Sequence, residues 1–292
     1  MKIGDIIKQQ GKSLSFEFFM PKSEKGESSL VENMRRLEAL KPTFVSVTQS
    51  AMGNNPRDSR RLVMRIRQET SLEPMPHVIC VDQSKTELRD ALEDYNAIGI
   101  ENVLALRGDP PQGRTEFRPT KDGFRYAKGL VELAASLKSF SIGVAAYPEG
   151  HIEAPSLEED MIHFKEKVDA GADFAITQMF FQNRFFYDFM GRAQRERIRI
   201  PIIPGIMPIR DMEKIKTFSQ SCGATLPDAL LENMERVADS PEDIRKTGME
   251  FTIKQCDDLL KNGVRYFHFF TLNQIEFIME ILENLDLEAL QQ

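Results

Sequence analysis

Short apolar runs recur along the chain, with amphipathic stretches between them. Leu14–Phe19, Phe44–Thr48, Pro76–Val81, Asn102–Arg107, Ile142–Tyr147, Phe174–Phe181, Pro201–Ile206 and Tyr266–Thr271 are mostly β-branched or aromatic. They lack clean polar alternation, as expected of strands covered on both faces. Helical spacing of apolar positions marks Ser29–Leu40, Arg57–Glu69, Lys85–Ile98, Phe124–Leu137, Leu157–Ala170 and Phe185–Arg195. Gly99, Gly171 and Gly263 each precede the next strand and are read as helix C-caps. Strand starts fall mostly about thirty residues apart, the length of one βα unit. Eight such units predict a closed (β/α)8 TIM barrel, an α/β fold. No Gly-x-Gly-x-x-Gly opens a helix, which argues against an open dinucleotide-binding sheet. The interval between the seventh and eighth strands is long, and Asp211–Ser219, Asp228–Val237 and Pro241–Lys261 predict extra helices within it. With no linker, repeat or low-complexity segment, residues 1–292 read as a single barrel domain.

Composition narrows the class. The net charge of −7, from 38 basic and 45 acidic residues without a basic tail, argues against a nucleic-acid surface. Cys80, Cys222 and Cys256 are odd in number and far apart, which points to a reducing compartment rather than a disulfide framework. Neither a signal peptide nor a membrane-length apolar run is visible. The expected location is the cytoplasm.

A (β/α)8 barrel carries its chemistry at the C-terminal ends of its strands. Those ends hold Glu17, Thr48, His77, Arg107-Gly108-Asp109, Tyr147-Pro148-Glu149, Gln178 and His268. So many hydrogen-bonding and titratable groups favour an enzyme over an interaction module. In Leu14–Phe19, alternation puts Ser15, Glu17 and Phe19 on one face and Leu14, Phe16 and Phe18 on the other. A carboxyl walled by phenylalanine is expected to have a raised pKa and to serve as a general acid; a strand-end pair with an arginine is the plainer reading. His77, His151, His163 and His268 form no His-x-His pair and no His-Glu-x-x-His helix, so no catalytic metal is expected. His268, inside an aromatic strand, reads as a core histidine. No Gly-x-Ser-x-Gly elbow is present. Glu17 and Asp109 as a glycosidase pair would require a carboxyl separation that only a structure supplies. Arg107-Gly108-Asp109-Pro110-Pro111 places a fixed cation and anion at a strand end, stiffened by prolines, or else is simply a turn.

Several motifs together carry a resemblance. They are Ser15-Phe16-Glu17-Phe18-Phe19, Phe44-Val45-Ser46-Val47-Thr48, Leu104-Ala105-Leu106-Arg107-Gly108-Asp109-Pro110-Pro111 and Ala145-Ala146-Tyr147-Pro148-Glu149-Gly150-His151. Lys167-Val168-Asp169-Ala170-Gly171-Ala172, Ala175-Ile176-Thr177-Gln178, Ile203-Pro204-Gly205-Ile206-Met207-Pro208 and Phe267-His268-Phe269 complete the set. In this order, from Leu14 to Asn273, the chain closely resembles the bacterial methylenetetrahydrofolate reductases.

The resemblance implies noncovalent FAD, and reduction of 5,10-methylenetetrahydrofolate to 5-methyltetrahydrofolate with electrons from NAD(P)H in a ping-pong cycle. By matching position, Glu17 is implied as general acid and Asp109 as the charge between flavin and pterin. Gln178 would pair with the pterin edge, and Phe218 would pack on bound substrate. Flavin contacts are implied for Thr48, Ala51, His77, Arg107, Gly108, Asp109, Tyr126, Ala127, Tyr147, His151, Asp160 and Lys167. A homo-oligomer is expected. The C-terminal domain of human-type relatives, which binds S-adenosylmethionine, is expected to be absent. Another electron donor, such as a partner flavoprotein, and a folate-binding subunit without tight FAD are the competing readings. Three departures from the family pattern stand out: Met20 replaces a proline, Gln49 an aromatic, and Gln274 a basic residue that is a candidate partner for the folate glutamate tail.

Overall fold

In the computed structural model, which describes residues 1–21, 23–49, 56–110, 113–114 and 116–286, the strands form one parallel ring. The strands are β1 (Ser13–Phe19), β2 (Phe44–Thr48), β3 (Pro74–Ile79), β4 (Asn102–Leu106), β5 (Ser141–Ala146), β6 (Phe174–Thr177), β7 (Ile202–Ile203), β8 (Gly205–Ile206) and β9 (Tyr266–Phe270). Their order is β7-β6-β5-β4-β3-β2-β1-β9-β8. The helices are α1 (Ile3–Gln10), α2 (Glu24–Met34), α3 (Pro56–Glu69), α4 (Lys85–Ala97), α5 (Ala127–Ser136), α6 (Leu157–Asp169), α7 (Asn183–Arg195), α8 (Met212–Cys222), α9 (Asp228–Arg236), α10 (Pro241–Lys261) and α11 (Ile275–Glu283). The predicted barrel is present, and so are the extra helices, α8 to α10, before the last strand.

The predicted seventh strand is in fact two short pieces, β7 and β8, broken at Pro204. Proline has no N–H to give a ladder. On one side of the break β7 pairs with β6, and on the other β8 pairs with β9, so the interrupted strand closes the ring. Pro204 still accepts from the backbone N–H of His268 at 3.0 Å. Gly205 donates its N–H to the Thr177 hydroxyl at 2.9 Å, and a Cβ there would collide with the Thr177 carbonyl oxygen and the Phe270 ring.

Residue alternation sorts the core into two layers. Phe16 and Phe18 of β1 point outward into the large cluster between strands and helices, with Leu30, Val31 and Met34 of α2 among its members. Met20, the first departure, packs in the same cluster. The barrel interior is filled from below by Phe44, Met75, Leu104, Phe174, Ile176 and Ile203. Helix α1, absent from the sequence reading, plugs this end: Ile3 and Ile7 are fully buried against that cluster. Ile3 N–H donates to the Asn102 side chain at 2.7 Å and Gly4 N–H to the Ser141 hydroxyl at 3.0 Å, fixing α1 to the starts of β4 and β5. The interior side chains and α1 occupy the lower half, so polar groups have room only at the opposite mouth.

Other differences are local. Strand β6 stops at Thr177 rather than Phe181, because Met179 and Phe181 turn into a third cluster with Ile209, Met212 and Leu230 beneath α8 and α9. Helix α11, also unpredicted, buries Ile275, Phe277, Ile278 and Ile281. Gly99, Gly171 and Gly263 all have positive φ, as caps require. Among the described residues, no helix is long and apolar enough to cross a membrane.

Closure at Gly205 is a steric requirement. Gly205→Ala should lower unfolding free energy by ~3 kcal/mol, the upper range for overpacking against backbone. Gly11→Ala, whose Cβ meets nothing within 4 Å but whose φ is +66°, should cost only ~1 kcal/mol. Urea unfolding of the two variants tests this; equal losses would show that closure tolerates a side chain.

Candidate active site

Glu17 lies near the end of β1 on the face that looks into the barrel. Its Oε2 is 3.4 Å from Nε2 of His77 on β3 and 3.5 Å from Nε2 of His268 on β9. Both histidines are buried, His268 completely. The neighbours of Glu17 are therefore imidazoles, where the sequence suggested only phenylalanines or an arginine. This corrects the expected raised pKa. Burial alone would raise the carboxyl, but the two imidazoles outweigh it and hold the group at about 2. His268 is a core residue, as expected from its strand. It is also more than that, because its one free nitrogen faces the carboxylate.

The other nitrogen of His268 is fixed from behind. Nδ1 is 2.9 Å from the Ser15 hydroxyl, which also lies 3.1 Å from the Phe267 carbonyl oxygen. Ser15 has one hydrogen for these two acceptors. When it points to Phe267, His268 must carry its hydrogen on Nδ1, and a hydrogen between Nε2 and Glu17 then belongs to the carboxylic acid. When it points to Nδ1, the ring hydrogen sits on Nε2 and faces the carboxylate 3.5 Å away. Hydroxyl rotation thus goes with the tautomer of His268, and the two arrangements differ by one proton, the one taken up by the carboxyl. Burial lowers the His268 pKa, opposed by Glu17, so the ring favours the neutral form these arrangements need. The signal for Ser15 was present in the sequence: it shares a face with Glu17, two positions away.

The loop after β9 is tied to the strand that carries Glu17. Thr271 donates its hydroxyl hydrogen to the Glu17 carbonyl at 2.6 Å. The Asn273 side chain accepts from Phe19 N–H at 3.1 Å and donates to Phe19 O at 2.8 Å. Leu272 and Asn273 sit at φ +48° and +58°. Left-handed backbone at consecutive non-glycine residues costs roughly 1–3 kcal/mol each and persists only where surrounding contacts impose it.

A second polar cluster lies over β4, β5 and α6. Arg107 pairs with Glu153 through Nη2 at 2.8 Å, and Glu153 N–H donates to His151 Nδ1 at 3.1 Å. Tyr147 meets His151 edge to face with ring centres 4.8 Å apart. Lys167 reaches back from α6, donating to Ala145 O at 2.6 Å, with its ammonium 5.7 Å from the Tyr147 ring. Burial lowers the Lys167 pKa to about 8, although Asp160 opposes the shift. Burial raises Asp160 in turn, opposed by Lys167. Burial and the charge of Asp109 both raise the Tyr147 phenol. Burial and Arg107 lower His151. Asp109 is exposed at the rim. Gly108 has φ +84°, and a Cβ there would lie 2.7 Å from Val81, so only glycine fits the turn. Glu153, absent from the sequence reading, is the residue that orients Arg107.

The remaining predicted positions divide. Thr48 ends β2, two strands from His268 across β1, and is half-buried. Gln178 follows β6; its amide oxygen accepts its neighbour Met179 N–H at 2.9 Å, and among the described residues its NH2 has no partner. Phe218 on α8 packs against the third apolar cluster. Tyr126 and Ala127 begin α5, where the Tyr126 ring is stacked on His163 at 5.9 Å and joins neither polar group. Ala51 lies outside the described residues. Gln49 is half-buried directly after β2.

Comparison with known proteins gives the same assignment. The family profile for methylenetetrahydrofolate reductase matches residues 2–286. The 5,10-methylenetetrahydrofolate reductase of Escherichia coli K12 is 37% identical over 273 residues, covering 94% of this chain and 90% of that protein. Methylenetetrahydrofolate reductase (NADH) 1 of Arabidopsis thaliana is 36% identical over 302 residues, covering 98% of this chain but 51% of the plant protein. Among solved structures, a Clostridium thermocellum protein that binds two copies of 5-methyl-5,6,7,8-tetrahydrofolic acid superposes with a TM-score of 0.63 over 98% of this chain and 99% of its own. At 12% identity, that likeness speaks to the barrel alone. The barrel, its polar mouth and these matches together establish that the chain belongs to the methylenetetrahydrofolate reductase family.

Proposed function

We propose that this chain reduces 5,10-methylenetetrahydrofolate to 5-methyltetrahydrofolate, with FAD as prosthetic group and NAD(P)H as electron donor. The observation that carries the reading is the Glu17 carboxyl between two buried imidazoles at the barrel mouth. Family membership supplies the substrate class. The mouth residues fit FAD on their chemistry: Arg107 and Lys167 are cations suited to a diphosphate, and Tyr147 and His151 offer flat aromatic walls. Gly108 lets backbone approach where any side chain would collide. His77 and His268 each have a buried Nε2 with no properly formed hydrogen bond. On this reading Thr48, His77, Arg107, Gly108, Asp109, Tyr147, His151, Asp160 and Lys167 hold the cofactor, and the family resemblance adds Tyr126, Ala127 and Ala51, the last outside the described residues. When bound, FAD supplies the hydride to the methylene carbon.

The chain's own task is proton delivery and charge. Opening the methylene bridge to an electrophilic iminium requires a proton on the bridging nitrogen. Glu17 delivers it, and because the imidazoles of His77 and His268 hold the resting carboxyl ionised, the proton has to reach it through those two rings. Asp109, anionic at the rim, stabilises the cation that forms, an electrostatic contribution made before the reaction begins. Gln178 offers its amide to the pterin edge, and Phe218 closes the apolar side.

Glu17→Gln should slow the folate half-reaction by ~10²–10⁴-fold, the usual worth of a positioned acid. Reduction of bound flavin by NADH or NADPH needs no such proton and should persist. Rapid-mixing measurement of each half-reaction separates the two; folate turnover at the wild-type rate would remove Glu17 from the chemistry. Failure of both nucleotides to reduce a flavin-loaded protein would overturn the donor assignment instead.

Asp109→Asn keeps the shape and removes the charge. Folate reduction should slow by ~10-fold or more, one tenfold step per 1.4 kcal/mol of lost cation stabilisation. Unchanged kinetics with a lower melting temperature would mean that Asp109 serves only the turn.

A stability test reports on the imidazole contacts without any ligand. The folded-state pKa of Glu17 lies below its ordinary 4.5, at about 2. The ionised carboxylate therefore contributes stability above pH 4.5, and that contribution is lost as pH falls toward 2. Wild type should exceed Glu17→Gln in urea unfolding at pH 7, with the gap narrowing by pH 3. A gap that stays constant would show that the imidazoles do not hold the charge.

A further inference from the structure

The cation missing at position 274 has a counterpart nearby. Arg210, exposed in the loop between β8 and α8, donates from Nη1 to the Gln274 side-chain oxygen at 2.7 Å. That partner is neutral. Among the described residues, no carboxylate lies within ion-pair distance of Arg210, whereas its neighbour Lys214 is paired with Asp211 at 3.2 Å. Arg210 and Gln274 line one narrow cleft with Lys214, Phe270, Leu272 and Phe277. Phe270 is the register partner of Glu17 on the adjoining strand. The cleft is thus on the catalytic mouth; its walls combine the Phe270 ring with a guanidinium bonded to a neutral amide, while Asp211, which also lines it, is engaged by Lys214.

The position of this guanidinium is imposed from the strand that carries the acid. Gln274 N–H donates to Thr271 O at 2.8 Å, Thr271 is bonded to the Glu17 carbonyl, and Asn273 clasps both backbone groups of Phe19. The two left-handed residues, Leu272 and Asn273, carry the chain from β9 into this clasp and deliver the Gln274 amide to Arg210. A neutral glutamine at 274 suits that task. It orients the arginine while leaving its charge available, where a second cation would repel it and a carboxylate would neutralise it.

We propose that Arg210, oriented by Gln274, is the specificity-determining residue that receives the glutamate carboxylate of the folate tail. The proposal rests on the folate reading above. The chemistry is a guanidinium meeting a carboxylate, a charge-assisted and often bidentate contact. The p-aminobenzoyl ring would lie toward Phe270 and Phe277, with the pterin toward Glu17.

Calorimetric titration with 5-methyltetrahydrofolate, and with a tetrahydropterin lacking the p-aminobenzoylglutamate tail, tests this without turnover. Arg210→Gln should weaken the tailed ligand by about tenfold or more, the range expected for one charge-assisted hydrogen bond. It should leave the tail-free ligand unmoved, and Arg210→Lys should recover part of the loss. Wild-type affinity for the tailed ligand should fall with added salt, and in Arg210→Gln that dependence should flatten. Equal effects on both ligands, or none on either, would overturn the assignment; melting curves identify a variant that fails to fold, and Gln274→Ala then provides the second variant, with a smaller loss confined to the tailed ligand. Wild-type protein that binds neither ligand would overturn the folate reading itself, an outcome distinct from failure at Arg210.

Discussion

A carboxylate held between two buried imidazoles is the constraint around which the mouth of this barrel is arranged. Burying Glu17 unpaired would cost several kcal/mol or force it neutral. His77 and His268 remove that penalty, and Ser15 holds Nδ1 of His268 from the other side. The three partners come from β1, β3 and β9, so the unit exists only when these strands are paired side by side in the sheet. The interior alternates accordingly. Apolar side chains and the α1 plug fill the lower half, and the titratable groups share the upper one.

Closure is achieved at the point where the ladder is weakest. Proline at 204 divides one strand into two, and each half serves a different neighbour. The lost ladder bond is offset by a side-chain acceptor, the Thr177 hydroxyl, which takes the Gly205 N–H. Phe270 packs where a side chain at 205 would stand, while the direct pairing of β9 with β1 places His268 beside Glu17. Strand β9 therefore serves both tasks, pairing with β8 at the closure and with β1 beside the acid.

The loop after β9 extends that coupling outward. Its left-handed residues are held by hydrogen bonds to β1, and through Gln274 they fix Arg210 at the rim. Acid and cation thus stand on a common frame. On the opposite side, Arg107, Tyr147, His151 and Lys167 form a frame of their own, tied through Glu153 and the Ala145 carbonyl. The proposed function puts the cofactor on this second side and the substrate on the first.

Much of this was legible in the chain. Periodicity located the strands, spacing gave the barrel, and alternation in Leu14–Phe19 put Glu17 on the polar face, because burial on both sides of a strand leaves a local hydrophobic signature. Helices α1 and α11 escaped because a short plug at the N-terminus and an apolar helix directly after a strand carry little periodic contrast. The partners of Glu17 were legible as residues but not as neighbours: His77 and His268 are remote from it in sequence and meet it only because β3 and β9 lie on either side of β1 in the sheet. That separation is why the carboxyl was expected to be raised and is in fact lowered. A pKa is set by what surrounds a group in space, and local sequence reported only the phenylalanines. The sequence by itself determined the fold, the polar rim and the family. Tertiary structure alone decided the charge state of Glu17, the split of the seventh strand and the pairing of Arg210 with Gln274, because each depends on contacts between segments that the chain brings together only on folding.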